Sequence, residues 1–480
     1  MTRSAATWSV INGPALRVLR SRFEGPLLQP GDDGYDDART IWNGSADRHP
    51  ALIARCAGVE DVVHAVNFGR EHDLLVAVRG GGHSIPGHSV CEGGLMIDLS
   101  LMKGIRVQAG SRTVRARPGV KWGEFDTETG AKDLATPGGY VSTTGIAGLT
   151  LGGGIGWLSR KYGLTCDNLM AAEVVTAQGE RVRASEDANR ELLWGLRGGG
   201  GNFGVVTSFE YRLHPVSSVL GGALVYRAER AAEALAQAVT FGLIAPDELT
   251  ILALMITAPA RAPYPDHMQD TSVLFIGVCF AGDIAEGRGV LAEFRRMAPP
   301  DMDLVREMRY PRLQRLLDDG RWGQPWYEKA SYAEEITHAA LRTFGECWDR
   351  RVSARSQMYM QQMGGMISRV PRDATPFDNR QTQFVYMMMS GWEPGEDPEP
   401  HVGWARSAWA ALQPYSRPGV YVNFDSDDSQ GRVHETYGSK YERLARLKAS
   451  YDPGNLFRLN QNILPAAPFS PAWHSLRRRS

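Results

Sequence analysis

The stretch that decides the fold reads Leu74-Leu75-Val76-Ala77-Val78-Arg79-Gly80-Gly81-Gly82-His83-Ser84. Its first five residues form an apolar run that predicts a buried strand, and three glycines then end the strand abruptly. Glycine permits positive φ angles and a close approach of another group, and consecutive backbone N–H groups in such a turn form an anion site. One interpretation is a loop that binds a cofactor, with His83 beside it. The other is a strand-ending turn with a solvated histidine.

Composition restricts the class of protein. The chain has 480 residues, 43% hydrophobic and 22% charged, with a net charge of −1. This length suits two to three globular domains, and the balanced charge gives no reason to expect a nucleic acid or an anionic membrane as partner. No apolar run is long enough for a transmembrane helix, and the first 20 residues lack the apolar core of a signal peptide.

The cysteines argue against a disulfide framework and against a zinc site, because they are odd in number, far apart and never in a CxxC pair. We expect reduced thiols and a cytoplasmic location. His83 and His88 have no acidic partner at ligand spacing, so no metal site is expected. The five cysteines are Cys56, Cys91, Cys166, Cys279 and Cys347.

Two further glycine-rich blocks follow, one within residues 137–156 and one at Gly198–Gly204. So much glycine does not suit the interior of a helix or strand. Either the backbone closely approaches an extended ligand, or the blocks are tight turns under packed helices. The third block contains Gly199-x-Gly201-x-x-Gly204, but a predicted helix, Glu186–Leu196, precedes it and a predicted strand, Val205–Leu213, follows. That order is the reverse of a Rossmann site, and no P-loop motif is present.

The sequence changes character near residue 220, where the glycine clusters stop and long strands alternate with helical patterns. This predicts a sheet covered by helices, in a separate α+β domain. The predicted strands are Leu249–Thr257, Val273–Phe280, Met358–Met363 and Phe384–Met389, and the predicted helices are Ala231–Gly242, Ala285–Met297, Tyr332–Cys347 and Ser439–Ala449.

The three glycine blocks, together with the C-terminal stretch Tyr451–Pro465, suggest one family. The sequence resembles the FAD-linked oxidases of the berberine bridge enzyme type, in the vanillyl-alcohol oxidase superfamily, and is most similar in pattern to the 6-hydroxy-D-nicotine oxidase branch. The resemblance spans roughly residues 35 to 465. The motifs that carry it are Arg79–Ser84, Gly145–Gly156, Gly163–Leu169, Leu196–Val206 and Tyr451–Pro465.

The resemblance implies an α+β fold with two parts. A PCMH-type FAD-binding domain of two α/β subdomains would be joined to a substrate domain, whose antiparallel sheet is covered by helices and faces the flavin. We place an N-terminal segment at residues 1–45, the FAD-binding domain at 46–217 and the substrate-binding domain at 218–435. A C-terminal segment at 436–480 would return to the FAD-binding domain.

The resemblance also implies which residues contact FAD. In this family the first glycine loop wraps the pyrophosphate, and the histidine that matches His83 carries an 8α bond to the flavin. The implied cofactor-binding residues are Arg79, Gly80, Gly81, Gly82, His83, Ser84, Gly87, His88, Pro137, Gly138, Val141, Thr144, Gly145, Gly148, Gly152, Gly153, Gly154, Gly156, Asn168, Gly201, Asn202, Gly204, Val205, Val206, Asn460 and Asn462.

Many members of this family hold FAD by a second bond to a cysteine. Here Val141 occupies the matching position, and Cys166 lies in a different motif. We therefore expect one covalent link, through His83. Cys166 is interpreted as a small buried thiol, with a second attachment as the alternative.

The family chemistry is hydride transfer from a CH–OH or CH–NH carbon to flavin N5, and a base must accept the accompanying proton. The usual tyrosine base falls in a Tyr-x-Asn-Tyr pattern, which here reads Tyr421-Val422-Asn423-Phe424. Strand alternation would place Tyr421 on the opposite face from Phe424. The candidate catalytic residues are Tyr421, Asn423 and Tyr386, with Tyr359 and Tyr140 as further candidates for the base. Without a base, the substrate must lose its proton readily.

The predicted substrate-domain strands and the turn after Met363 are rich in methionine, which fills irregular apolar space. They form ordinary core, or some line a pocket for an aromatic or secondary-metabolite substrate. The expected partners are such a small molecule and O2, with H2O2 as product. A dehydrogenase with another electron acceptor and a degenerate flavin binder are the alternatives. The methionines are Met358, Met360, Met363, Met366, Met387, Met388 and Met389.

Overall fold

The computed structural model describes residues 13–318, 320, 322–333, 336–426 and 429–467. Two small sheets form the first half of the chain and one large sheet forms the second. The α-helices of the described ranges are α1 Pro14–Arg22, α2 Tyr35–Arg39, α3 Val59–Glu71, α4 Trp122–Gly130, α5 Ile146–Leu151, α6 Ser159–Tyr162, α7 Arg190–Leu196, α8 Ala228–Ile244, α9 Ile284–Met297, α10 Tyr310–Leu313, α11 His338–Asp349, α12 Met366–Arg369, α13 Glu399–Leu412, α14 Val433–Tyr437 and α15 Tyr441–Tyr451.

The first sheet has the order β1-β2-β4-β3, in which β2, β4 and β3 are parallel and β1 is antiparallel. Parallel strands place their carboxyl ends at one edge, and the first glycine loop begins there, directly after β3. Because β1 pairs with β2, the N-terminal segment contributes to this sheet. The strands are β1 Leu27–Leu28, β2 Leu52–Arg55, β3 Val76–Arg79 and β4 Leu95–Asp98.

The second sheet is antiparallel, with the order β5-β6-β10-β8-β9. Its core packs against α4, α5, α7 and α15, so the C-terminal helix returns to this half of the molecule. The strands are β5 Ile105–Gln108, β6 Thr113–Ala116, β8 Leu169–Val175, β9 Arg181–Ser185 and β10 Val205–Arg212, and a separate short pair joins β7 Leu134–Ala135 to β11 His214–Pro215.

The third sheet has nine strands in the order β15-β12-β14-β13-β18-β19-β17-β20, with β16 paired to β12. Helices α8, α9, α11 and α13 cover one face, and the other face turns towards the glycine blocks. The strands are β12 Ser218–Arg227, β13 Leu249–Thr257, β14 Ser272–Phe280, β15 Met302–Asp303, β16 Arg306–Arg309, β17 Trp326–Ala333, β18 Gln357–Gln362, β19 Phe384–Gly391 and β20 Ser416–Arg417.

The predicted α+β class is confirmed, and three local predictions are wrong. The helix predicted from Tyr332 begins only at His338, because Tyr332 belongs to β17. The helix predicted from Glu186 begins at Arg190. The predicted strand at residues 421–424 is an irregular turn.

The C-terminal motif is organised by a buried ion pair. Lys448 Nζ donates to Asp452 Oδ2 at 2.7 Å, to the carbonyl of Asn202 at 2.8 Å and to that of Phe457 at 2.9 Å. Asp452 also accepts from the backbone N–H groups of Leu456 and Phe457. These bonds satisfy the buried charges and fasten the C-terminal segment to the third glycine block. Within the described ranges, no helix has the length and apolar character needed to cross a bilayer.

Candidate functional site

One cavity of about 1190 Å³ lies between the two halves of the molecule. Residues of all three glycine blocks form one side, and strands of the nine-stranded sheet form the other. Ligand pockets are commonly about 300–1,000 Å³, so this cavity has room for a large cofactor together with a substrate.

The first two glycine blocks touch through their backbones. A Cβ atom built on Gly81 would lie 2.3 Å from Cα of Gly145, and one built on Gly145 would lie 2.5 Å from N of Gly81. No side chain fits between them, so both positions require glycine. The contact makes one continuous backbone surface from two segments that are 64 residues apart in sequence.

The third glycine block is fixed against the C-terminal segment. Asn202 Nδ2 donates to the carbonyls of Gly199 at 2.8 Å and Gln461 at 3.2 Å, and Asn202 Oδ1 accepts from the N–H of Ile463 at 3.0 Å. Gly204 has φ +149°, and a Cβ there would lie 2.6 Å from the carbonyl oxygen of Val175. Close packing of backbone on backbone therefore also shapes this wall.

His83 lies in an aromatic cage. Its imidazole stacks on the Trp42 indole with ring centroids 4.5 Å apart and planes inclined by 18°, and Trp322 meets it edge-on at 6.4 Å. Thr143 Oγ1 is 3.5 Å from Nε2. Burial, and then the nearby Lys121 ammonium, lowers the pKa of His83 to about 3. The ring is therefore neutral at neutral pH, and a neutral ring nitrogen keeps the lone pair needed to form a bond.

These residues fit FAD. A backbone cradle without Cβ atoms and a neutral imidazole line one cavity. Such a cradle suits the pyrophosphate of a dinucleotide. The predicted residues that line the cavity are Gly80, Gly81, Gly82, His83, Ser84, His88, Val141, Thr144, Gly145, Gly148, Gly152, Gly201, Gly204, Val205, Val206, Tyr421, Asn423 and Asn460.

The remaining predicted cofactor residues lie outside the residues that line the cavity. Arg79 donates to the carbonyl of Ala38. A Cβ on Gly87 would meet Ala46, and one on Gly156 would meet the carbonyl of Gly138, so tight packing explains these glycines. The full set outside the lining is Arg79, Gly87, Pro137, Gly138, Gly153, Gly154, Gly156, Asn168, Asn202 and Asn462.

Three further residues of this set form hydrogen bonds with other parts of the chain. Asn168 Nδ2 donates to the carbonyls of Tyr162 and Leu164, and its Oδ1 lies 2.7 Å from His214 Nε2. Asn202 binds the C-terminal segment. Gly154 donates its N–H to the Tyr421 hydroxyl at 3.0 Å. Gly154 and Asn202 thus connect the glycine blocks to Tyr421 and to the C-terminal segment, whereas Asn168 binds residues outside the glycine blocks.

Tyr421 and Phe424 are in contact rather than on opposite faces. Their rings lie 4.5 Å apart at 87°, because residues 421–424 form a turn, and strand alternation therefore does not apply. The Tyr421 hydroxyl accepts from the N–H of Gly154 and from Asn423 Nδ2, each at 3.0 Å. With both lone pairs occupied, this hydroxyl has its own proton left to donate. Burial raises the pKa of Tyr421.

The other tyrosine candidates fall in different places. Tyr386 lies in the core under the helices, beside Phe344, and is not among the residues that line the cavity. Tyr359 lines the cavity and donates its hydroxyl to Gln357 Oε1. Tyr140 also lines the cavity, packed edge-on against Trp157.

The sheet wall of the cavity is largely apolar. Alternation on β19 turns Met387 and Met389 to the cavity and Met388 to the core under the helices. The methionines of β19 therefore divide between the core and the cavity wall. The apolar side chains on this wall are Leu252, Leu254, Ile256, Phe275, Met387 and Met389.

Sequence reasoning missed many residues of this cavity, among them Trp42 and Glu328. Trp42 stands in an unpatterned segment, with no sequence signal that places it beside His83. Glu328 lies in β17, where neighbouring tryptophan and tyrosine residues could have signalled a strand.

Two further predictions concern this site: a second attachment through a cysteine, and the presence of a metal ion. Cys166 is buried outside the cavity lining, and burial raises its pKa well above the usual thiol value. Val141, the position at which the resemblance implies a second attachment in other members, lines the cavity. Across the described ranges, no group of three or more His, Cys, Asp or Glu side chains is placed to hold a metal ion.

Comparison with known proteins finds two family matches. Residues 50–185 match a family described as an FAD binding domain, and residues 420–464 match the family described as berberine and berberine like. An FAD-linked oxidoreductase of Dictyostelium discoideum is 31% identical over 449 residues, covering 92% of this chain and 95% of the relative. The (R)-6-hydroxynicotine oxidase of Paenarthrobacter nicotinovorans is 31% identical over 464 residues, covering 92% and 97%.

Solved structures share the fold. 6-Hydroxy-D-nicotine oxidase from Arthrobacter nicotinovorans superimposes with a TM-score of 0.83 at 27% identity, covering 92% of this chain and 98% of that one. Berberine bridge enzyme from Eschscholzia californica gives a TM-score of 0.84 at 21% identity, covering 95% and 100%. The second likeness, at this identity, concerns the fold alone.

Proposed function

The chain belongs to the berberine-like FAD-linked oxidoreductases, and from this premise we propose that it is an oxidase of a small apolar substrate. It takes a hydride from a CH–OH or CH–NH carbon and passes the electrons to O2, giving H2O2. The observation that carries the proposal is the cavity itself: the glycine blocks and His83 form one side, and an apolar sheet wall forms the other. A substrate on that wall faces the cofactor side.

We propose that His83 holds FAD by a single covalent bond. FAD, when bound, supplies the two-electron acceptor at its N5 atom. Formation of the tether replaces one 8α C–H bond and one imidazole N–H bond, and O2 accepts the two electrons and two protons released. The stacked position of His83, its lowered pKa and Val141 at the second attachment position support this proposal.

Tyr421 and Asn423 are the proposed catalytic residues. Both line the cavity beside the second glycine block, and Asn423 Nδ2 holds the Tyr421 hydroxyl in place. The two groups that are hydrogen-bonded to the Tyr421 hydroxyl are both donors, so neither of them accepts the hydroxyl proton. The hydroxyl can therefore donate a hydrogen bond that orients the reacting oxygen or nitrogen of a substrate, while the proton that the substrate loses passes to another acceptor.

We also propose a cytoplasmic location. All five cysteines are buried and unpaired, which suits a reducing compartment.

Anaerobic reduction followed by readmission of air tests the proposed reaction. Candidate primary and secondary alcohols and amines are mixed with the holoprotein while the flavin absorbance near 450 nm is followed. We expect at least one to bleach the flavin, and air to restore the absorbance with one H2O2 formed per substrate oxidised. Bleaching without peroxide formation in air would identify a dehydrogenase, and failure of every candidate to bleach the flavin would favour a degenerate flavin binder.

A further inference from the structure

Glu328 is a buried carboxyl group in the wall of the cavity. It stands on β17 and is 2% exposed, and among the described residues its Oε1 atom has no hydrogen-bond partner. Its backbone N–H donates to Ser426 Oγ at 2.7 Å. This bond fixes the strand but leaves the side-chain carboxyl uncompensated. Burying an ionisable group without a partner costs free energy. Such a group in a cavity wall indicates a site where a ligand supplies the missing charge or hydrogen bond.

The neighbouring lysine does not compensate Glu328. Strand alternation turns Lys329 to the opposite face, where its Nζ lies 3.1 Å from Asp425 Oδ1 and 5.0 Å from the Trp409 ring centroid. Asp425 therefore has its own cation. Burial, and then the charge of Asp425, raises the pKa of Glu328 well above the usual carboxyl value. A cation brought next to Glu328 would restore its ionised form.

The surroundings of Glu328 are apolar on the cavity side. Glu328 pairs across the sheet with Met389, and Met389 pairs with Gln357 on the next strand. The Gln357 Oε1 atom is occupied by the Tyr359 hydroxyl, which also lies 3.6 Å from Met389 Sδ. The immediate environment of Glu328 thus offers thioether and aromatic surface, with one unsatisfied acidic oxygen.

We infer that Glu328 selects the substrate, and that the site takes a protonated amine carried on an apolar body. The ammonium group pairs with the Glu328 carboxylate, and the apolar body packs on Met387, Met389 and Tyr359. This inference rests on the proposed function, because it takes the cavity as the substrate site.

An amine fits this wall better than a sugar or a simple alcohol. A neutral hydroxyl gives Glu328 one hydrogen bond but no compensating charge. A polyhydroxylated substrate would also leave hydroxyl groups against Leu252, Leu254 and Met387 without partners, and each such group is costly to bury. Charge-assisted hydrogen bonds are worth about 1.5–3 kcal/mol, which corresponds to about a 10- to 150-fold preference.

Matched ligand pairs test the inference on the flavin-loaded protein. Benzylamine is compared with benzyl alcohol, and 1-naphthylmethylamine with 1-naphthalenemethanol, by anaerobic titration of the flavin absorbance spectrum at pH 8. For at least one pair we expect the amine to bind about tenfold or more tightly than the alcohol. In Glu328→Gln we expect the ratio to fall to within about threefold, with the alcohol affinity little changed.

A matched control distinguishes a specific effect of Glu328 from the general electrostatic field of the cavity. Glu396 also lines the cavity, but its side chain is half-exposed and lies 3.5 Å from His401 Nε2. We expect Glu396→Gln to keep the amine preference. Equal binding within both wild-type pairs, no amine binding at all, or a preference that survives Glu328→Gln would each overturn the inference. Flavin bleaching by an alcohol alone would overturn it while leaving the proposed oxidase function intact.

Discussion

The indole of Trp42 and the imidazole of His83 form a stacked pair, with centroids 4.5 Å apart, and Trp326 stacks behind Trp42 at 5.8 Å with planes 5° apart. The three rings come from three distant segments. Asn43 fixes the arrangement, because its Nδ2 donates to the carbonyls of Ile85 and Trp326 and its Oδ1 accepts from the N–H of Trp326. The side chain that we expect to tether the flavin is thus held in one plane by the N-terminal segment and the substrate domain together.

We predict that Trp42→Leu slows covalent attachment of FAD by up to about tenfold, since an aromatic pair is worth about 0.5–1.5 kcal/mol. Noncovalent binding should persist because the glycine blocks are unchanged. The measurement is the fraction of total flavin that stays with acid-precipitated protein. Trp42→Phe retains a stacking ring and serves as the control. An unchanged covalent fraction in Trp42→Leu would show that the stack does not position His83.

Gly81→Ala should lower both stability and flavin content. Its Cβ would fall 2.3 Å from Cα of Gly145, and backbone cannot move aside as a flexible side chain can. Overpacking of this kind costs about 1–3 kcal/mol in the free energy of unfolding. Gly403→Ala is the matched control, because Gly403 is exposed within α13 and its Cβ would meet nothing within 4 Å. That change should stabilise by about 0.5–1 kcal/mol. The urea concentration at the midpoint of unfolding should therefore fall in Gly81→Ala and rise in Gly403→Ala.

Tyr421→Phe should affect both stability and turnover. It leaves the Gly154 N–H without its acceptor, and a buried unsatisfied donor costs about 1–3 kcal/mol. It also removes the hydroxyl that orients the reacting atom of the substrate, so kcat should fall about 100-fold. Stopped-flow flavin reduction gives the kinetic effect and thermal unfolding gives the structural one. A stable variant with wild-type kcat would exclude Tyr421 from the chemistry.

Amine binding should depend on pH through Glu328, the pKa of which is raised by burial and by Asp425. Below that pKa the carboxyl is protonated, and an ammonium ion must displace the proton. Affinity should therefore rise about tenfold per pH unit and level off above the pKa. The other ionisable groups nearby are Lys329, paired with Asp425, and Tyr359, the pKa of which is raised. Benzylamine titrations from pH 5 to 9 should show this slope in the wild type and none in Glu328→Gln.

The close backbone packing of the glycine blocks could be predicted from the sequence because its signals are local. Glycine clusters after a strand identify backbone surfaces without Cβ atoms, and Gly81 and Gly145 meet as such surfaces do. Their contact across 64 residues is not visible in either segment alone. The family pattern supplies that long-range information, and the fold that it implies is confirmed.

The substrate side is less predictable because its signals are long-range. Tyr421 is positioned by a hydrogen bond from Gly154, 267 residues away, so strand alternation was the wrong basis for orienting it. Trp42 depends on partners at residues 83 and 326. A glutamate such as Glu328 is typical of exposed strand positions, and only the packed sheet shows that it is buried.

The most direct test of the account is to precipitate the purified holoprotein with acid and map the flavin by peptide mass spectrometry. We predict a yellow pellet, with flavin on the peptide that contains His83 and none on peptides that contain Val141 or Cys166. His83→Ala should release all of its flavin to the supernatant. A colourless wild-type pellet with free FAD in solution would contradict the central claim that His83 tethers the cofactor within the three glycine blocks.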